Sequence, residues 1–157
     1  MPKTRSKSAS AIDMLKEDHA KVKKAFKEFE NLDRSDTETC RQVVKTVCED
    51  LKVHTTLEEE IFYPAVRAAI EDEDIMNEAA VEHETAKMLI EQLEDSSPDD
   101  PQYFATFTVL GEYVMHHVKE EEGEMFPQAK KAELDLDALG EQMKARKEEL
   151  VGQAEQA

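Results

Sequence analysis

Apolar residues recur through most of the chain at the spacing of one helix face, and short polar segments separate the runs. The first run begins after Ser10, where Asp13 three residues on completes a helix-capping pattern. The second ends near Pro64, which lacks a backbone donor and is expected to kink or end its helix. Two more runs flank the polar loop 96–100, and a fifth covers about 136–151. The pattern predicts an all-α fold.

The second half of the chain repeats the first. Segments 54–64 and 117–127 have the same length, and both begin with histidine, carry a Glu-Glu pair at matching positions and end with proline. The dipeptides at 18–19 and 82–83, each an acid followed by histidine, repeat at nearly the same offset. The repeated unit is a helical hairpin, which cannot bury its apolar face alone. Two hairpins therefore predict an up-down four-helix bundle over 10–133, with a C-terminal helix and tail at 134–157 and a disordered basic tail at 1–9.

Composition narrows the possible partners. Asp and Glu number 37 against 20 Lys and Arg, which gives a formal charge of −17. Such a chain is expected to bind neither nucleic acid nor an anionic membrane through bulk electrostatics, and no apolar stretch is long enough to span a membrane. The two cysteines, Cys40 and Cys48, lie about 12 Å apart along one predicted helix, too far for a disulfide. We therefore expect a cytoplasmic protein with two packing thiols.

The repeat brings together a set of metal-binding side chains. Residues four apart on a helix share a face, so each His-x-x-x-Glu presents an imidazole and a carboxylate together. The repeat symmetry then directs six side chains to one level of the bundle interior. These candidate ligands are His19, His54, Glu58, His83, His117 and Glu121. Four imidazoles and two carboxylates exceed what one tetrahedral zinc needs and fit two transition metals, with iron, manganese and zinc all compatible.

Each part of this pattern alone has an ordinary structural interpretation. A single histidine on an apolar face is usually a core residue, and a single His-x-x-x-Glu is usually a surface pair. His116 also stands four residues before a glutamate, Glu120. The spacing to the following proline separates the two histidines, because His117 stands as far before Pro127 as His54 stands before Pro64, whereas His116 is one position further away. We therefore assign His117 to the site and His116 to a helix seam or to solvent.

Polar residues near the ligands are candidates for supporting roles. Asp50 and Tyr113 each lie four residues before a ligand histidine, so either could hydrogen-bond a ring nitrogen or meet a bound ligand. Both are equally compatible with exposed or core-edge positions. Asp18 and Glu82 directly precede ligand histidines and are expected on the solvated face of their helices.

The pattern of His19, His54-x-x-x-Glu58, His83 and His117-x-x-x-Glu121 resembles the hemerythrin-like (HHE) cation-binding domain, and the likeness covers about 12–130. The resemblance implies a four-helix bundle around two oxo- or hydroxo-bridged Fe ions. By the same resemblance His19 and His54 would hold one iron, His83 and His117 the other, and both glutamates would bridge. Oxygen-carrying hemerythrins have a further histidine on the third helix and end on an aspartate ligand. Neither feature is present here, which argues against reversible oxygen transport.

These observations predict a non-haem di-iron protein that binds and reacts with dioxygen, peroxide or nitric oxide. Catalase- or peroxidase-like turnover is one form that this reactivity could take. The alternative is iron storage, or iron or oxygen sensing, without turnover. The expected partner is a small diatomic or peroxide ligand, and the sequence leaves the oligomeric state open.

Overall fold

The computed structural model describes residues 10–156, and within that range it contains helices and no strand. Its seven α-helices are α1 (Ala11–Glu30), α2 (Thr37–Leu57), α3 (Tyr63–Ala69), α4 (Glu73–Glu94), α5 (Tyr103–Glu120), α6 (Phe126–Lys131) and α7 (Leu136–Gln156). A first π turn (Glu58–Phe62) joins α2 to α3, and a second π turn (Glu121–Met125) joins α5 to α6. The all-α fold predicted from the periodicity is confirmed. The expected disordered tail at 1–9 lies outside the described residues.

Four long helices form the bundle. α1 packs against α2 and α5, and α4 packs against α5 and α2, so the two hairpins close a ring. The fifth long helix, α7, lies against α1, α2 and the first π turn, where its Met143 is fully buried. Ser10 caps α1, since its hydroxyl oxygen accepts from the Asp13 amide at 3.2 Å, as the sequence predicted. In the part described, no helix has the length and apolar character that a membrane crossing requires.

The prolines do not end their helices. The amide of Tyr63 donates to the carbonyl of Glu58, five residues back, so the helix widens for one turn just before Pro64. The amide of Phe126 makes the same bond to Glu121 before the second proline. The missing proline donor therefore falls where the hydrogen-bond pattern changes, and the helix continues into α3 or α6. The predicted kink is a π turn, and it begins at a candidate ligand in each half.

Two hydrophobic clusters fill the bundle on either side of one polar level. The first contains Ile12, Leu15, Leu57, Phe62, Met76, Met125, Phe126 and Met143. The second contains Val22, Phe29, Val44, Cys48, Ile90, Phe107 and Leu110. On α1, His19 lies between Leu15 of the first cluster and Val22 of the second. Both cysteines are buried and free, as expected. The polar level is thus shielded from solvent at both ends.

Candidate metal centre

The structure brings the six predicted ligands together inside the bundle. All six are buried, and the two glutamates are almost completely inaccessible to solvent. They form two groups whose ligand atoms lie within 4.8 Å of one another. The first group is His19, His54, Glu58 and Glu121, and the second is Glu58, His83 and His117. The histidines thus fall into two pairs, His19 with His54 and His83 with His117.

Each glutamate extends between the two histidine pairs. In Glu58, Oε1 lies 2.9 Å from Nε2 of His83, and Oε2 lies 3.2 Å from Nε2 of His54. In Glu121, Oε1 lies 3.0 Å from Nε2 of His19, and Oε2 lies 3.3 Å from Nε2 of His117. One oxygen of each carboxylate therefore faces each pair, which is the geometry that bridging carboxylates require.

A second layer of carboxylates holds the histidine rings from behind. Each of the four Nδ1 atoms lies within hydrogen-bond distance of an acid on a different helical segment. The pairs are His19 with Glu122 at 2.6 Å, His54 with Asp18 at 2.9 Å, His83 with Glu59 at 2.7 Å, and His117 with Glu82 at 2.6 Å. Since a carboxylate accepts, Nδ1 donates, and Nε2 points to the centre. This is the orientation that metal-binding histidines take.

The expectation that Asp18 and Glu82 face solvent was wrong. Each side chain turns sideways from its own helix to the second-helix histidine of the same hairpin. Glu59 and Glu122 instead reach the first-helix histidine of the other hairpin. All four acids occupy matching positions in the two repeats, so the repeat carried a signal for them.

The structure does not bring Asp50 to a histidine ring. Its carboxylate pairs with Lys21 at 3.4 Å on the surface. Tyr113 is 44% exposed and lines a cavity beside the centre. His116 is 62% exposed and pairs with Glu120 at 3.3 Å, so it lies outside the buried set, as the proline spacing predicted.

Tyr63 joins the site although the sequence analysis did not predict it. Its hydroxyl oxygen lies 3.1 Å from Oε1 of Glu58, 3.0 Å from Nε2 of His117 and within hydrogen-bond distance of Oε2 of Glu121, so its single proton is donated to one of these carboxylates at a time. The π turn places Tyr63 on the same face as Glu58. At the equivalent position of the other half, Phe126 stacks on the His19 ring at 6.1 Å between centroids. The candidate ligands are the same in both halves, whereas the equivalent positions 63 and 126 hold tyrosine and phenylalanine.

Four buried atoms in the described residues lack a hydrogen-bond partner, and all belong to the first ligand group. They are Nε2 of His19, Nε2 of His54, Oε2 of Glu58 and Oε1 of Glu121. Burying a polar atom without a partner is costly. Two imidazole nitrogens and two carboxylate oxygens that face one another would be jointly satisfied by a cation, with the rings neutral. The donor set therefore fits a metal ion on its own chemistry.

Burial and neighbouring charges shift the pKa values of several side chains in the site. Burial alone would lower the pKa of His54, but the carboxylates of Glu58 and Asp18 outweigh it and raise the pKa to about 10. Burial would raise the pKa of Glu58, but the surrounding imidazoles hold it well below its usual range. Burial and the two glutamates raise the pKa of Tyr63 well above its usual value, so its phenol keeps its proton. Negative charge thus dominates the interior, which favours cation binding.

A small apolar cavity lies against the histidines. Its volume is about 30 Å³, room for one or two water-sized molecules. Beside the site residues its wall is formed by Val22, Leu51, Thr55, Ala86, Tyr113, Val114 and Val118. A ligand of two heavy atoms fits this space, whereas a larger organic substrate does not.

The chain resembles known proteins in sequence and in structure. The family model described as Hemerythrin HHE cation binding domain matches residues 10–155. The crystal structure of a Hemerythrin HHE cation binding domain-containing protein from Mycobacterium kansasii superposes with a TM-score of 0.79 and 25% identity, over 93% of this chain and 90% of that one.

A curated relative is named DNA nickase and comes from Nostoc sp. (strain PCC 7120 / SAG 25.82 / UTEX 2576). It is 32% identical over 114 residues, which are 73% of this chain and 32% of the relative. The match therefore spans about a third of the relative's length.

Proposed function

The chain belongs to the Hemerythrin HHE cation binding domain family, and from this premise we propose that it holds two iron ions that bind and react with dioxygen, peroxide or nitric oxide. The observation that carries the proposal is the pair of buried glutamates, each directing one oxygen to each histidine pair. A carboxylate that faces both histidine pairs can bridge two metals, which is why we propose two ions rather than one.

Each iron would take two imidazoles and a share of both carboxylates. His19 and His54 would serve the first, His83 and His117 the second, with Glu58 and Glu121 between them. Mixed nitrogen and oxygen donors suit iron, although they do not exclude manganese or zinc. When bound, iron supplies the redox chemistry that this set of side chains lacks.

The protein's own groups then control access and protons. The cavity wall excludes bulk water and admits only a ligand of about two heavy atoms. The phenol of Tyr63 keeps a proton among the ligand atoms, in contact with both glutamates. A positioned proton donor supports reduction of a bound oxidant, because the oxygen atoms that gain electrons also need protons.

Iron storage or sensing without turnover is the second candidate. The cavity beside the histidines, about 30 Å³ in volume, has no space for a store of many iron ions. A buried proton donor would also have no function in a store. Both observations favour a reactive centre.

The name of the Nostoc relative describes a protein of which this chain matches about a third. The formal charge of −17 opposes contact with a phosphate backbone. That this chain does not bind nucleic acid stays a prediction. A shift in the electrophoretic mobility of duplex DNA at low salt would contradict it.

Metal analysis of the full chain tests the proposal. We expect two irons per chain and a ferric absorption band in the near ultraviolet. The double variant Glu58→Ala/Glu121→Ala should lose both irons, whereas His116→Ala should keep them because His116 lies on the surface. A content of one zinc per chain, or no metal, would overturn the proposal.

A further inference from the structure

Two lysines contact carboxylates that hold the histidine rings of the site. Nζ of Lys147 lies 3.3 Å from Oδ1 of Asp18, whose Oδ2 lies 2.9 Å from Nδ1 of His54. Nζ of Lys87 lies 2.7 Å from Oε1 of Glu59, whose Oε2 lies 2.7 Å from Nδ1 of His83. In both cases one carboxylate joins an ammonium group to a ligand imidazole, using a different oxygen for each.

The other two outer carboxylates lack this third layer. Oε2 of Glu82 lies 3.6 Å from the exposed ring of His116, and no lysine contacts Glu82 or Glu122 in the described part of the chain. Each proposed iron would thus have one histidine whose outer carboxylate contacts a lysine and one histidine whose outer carboxylate does not. His54 in the first group and His83 in the second are the histidines with a lysine.

The lysines come from unrelated positions. Lys87 lies one turn after His83 on α4, within the second hairpin, whereas Lys147 belongs to α7, outside the repeated unit. The repeat therefore does not explain the second contact. Lys147 on α7 thus forms the same series of lysine, carboxylate and histidine contacts at the first histidine pair, but from a helix outside the hairpins.

The physical effect is on the strength of the hydrogen bond at Nδ1. An ammonium group neutralises part of the charge on the shared carboxylate, which then attracts the imidazole proton less. Without the ammonium group the carboxylate would draw that proton further, and the imidazole would become more anionic. A more anionic ligand stabilises the higher oxidation state of a metal and lowers its reduction potential.

We propose that Lys147 and Lys87 are positioning residues that raise the reduction potential of the iron pair through Asp18 and Glu59. This inference rests on the proposed function. Both lysines are about 40% exposed, and ion pairs at such positions contribute little to folding stability. The variants are therefore expected to fold, so that an effect on the centre can be separated from an effect on the fold.

The test is spectroelectrochemical titration of the iron-loaded full chain, with metal content measured first. Lys147→Met and Lys87→Met should each lower the reduction potential. Lys147→Arg keeps the positive charge and should have the wild-type potential. Arg146→Met is the matched control on the same helix, because Arg146 pairs at 2.9 Å with Glu60, which contacts no histidine. It removes the same charge and should leave the potential close to the wild-type value.

Lys147→Gln repeats the test with a side chain that keeps a polar contact but not the charge. It should shift the potential in the same direction as Lys147→Met. An unchanged potential in these variants, or an equal shift in Arg146→Met, would overturn the inference while leaving the proposed function intact. A wild-type chain without iron would overturn the proposed function and this inference with it.

Discussion

Each histidine of the centre is used at both ring nitrogens. Nδ1 donates outward to an acid, and Nε2 faces a glutamate or the phenol of Tyr63 inside. A ring held in this way has one tautomer and one orientation. Little reorganisation is then needed when a metal binds, and the acids that fix the rings matter as much as the rings themselves.

Substitution of Tyr63 tests whether its phenol acts as the proposed proton donor. Tyr63→Phe should leave the fold and the iron content unchanged, because phenylalanine already occupies the equivalent position 126. It removes the proton held between Glu58 and Glu121, so turnover of peroxide should slow by about a hundredfold, the lower range for loss of a general acid. Oxygen evolution or peroxide loss measures it.

Phe126→Tyr is the matched control for Tyr63→Phe. It adds a hydroxyl at the other half, beside the His19 ring, without removing the phenol of Tyr63. Equal peroxide rates for the wild type and Tyr63→Phe would exclude the phenol as a proton donor.

Cys48 gives a second residue-scale prediction. Burial, with Glu94 nearby, raises the pKa of its thiol to about 12. At pH 8 almost no thiolate is present, and the thiolate is the reactive form. The native protein should therefore leave Cys48 unmodified by an aromatic disulfide reagent, whereas protein unfolded in guanidinium should react at both cysteines. Rapid modification of the native chain would contradict the burial.

At the scale of elements, the π turns decide which side chains reach the centre. An α-helical continuation would place Tyr63 about 100° further around the helix than its present face, so the one extra residue of the π turn brings it to the site. The sequence predicted that the six candidate ligands lie together because they repeat at helical spacing. It could not predict Tyr63, since apolar periodicity does not distinguish a π turn from an α turn over so short a segment.

The outer acids were mispredicted for a related reason. Helix geometry allows only one of two adjacent residues to point inward, which placed Asp18 and Glu82 in solvent. These side chains instead point sideways, to a ring on the neighbouring helix. A helical-wheel argument describes one helix at a time and does not include the surface that two helices share.

The contact between α1 and α5 yields an element-scale prediction. A Cβ on Gly111 would lie 2.9 Å from Cδ1 of Phe26, closer than packed carbons approach. Gly111→Ala should therefore destabilise the fold by about 1–2 kcal/mol, the usual cost of overpacking. Gly123→Ala is the control, because no atom lies within 4 Å of its added Cβ. It should stabilise by up to about 1 kcal/mol, and urea unfolding measures both.

At the scale of the molecule, two apolar clusters enclose a concentrated negative charge. The buried glutamates and the acids behind the rings lie between hydrophobic layers in a chain whose net charge is −17. Cations bound at this level offset that repulsion in the folded state but have no preformed site in the unfolded chain. We therefore expect metal binding to stabilise the fold.

Thermal unfolding measures this linkage. Iron present at a thousand times its dissociation constant stabilises the fold by about 4 kcal/mol per site, so the chelator-treated chain should melt at least several degrees lower. Glu58→Ala/Glu121→Ala should melt at one temperature with and without iron. Identical melting of the wild-type chain in both conditions would count against the assigned ligands.

The exchange of Tyr63 for Phe126 between the halves has a consequence for how the molecule can be assembled. Two copies of the first hairpin would bring two phenols to the centre, and two copies of the second would bring none. Only a pairing of unlike halves brings a single phenol to the centre, and hence one proton donor of this kind. The single phenol is therefore a property of two halves that have diverged, and no symmetric dimer of either hairpin can reproduce it.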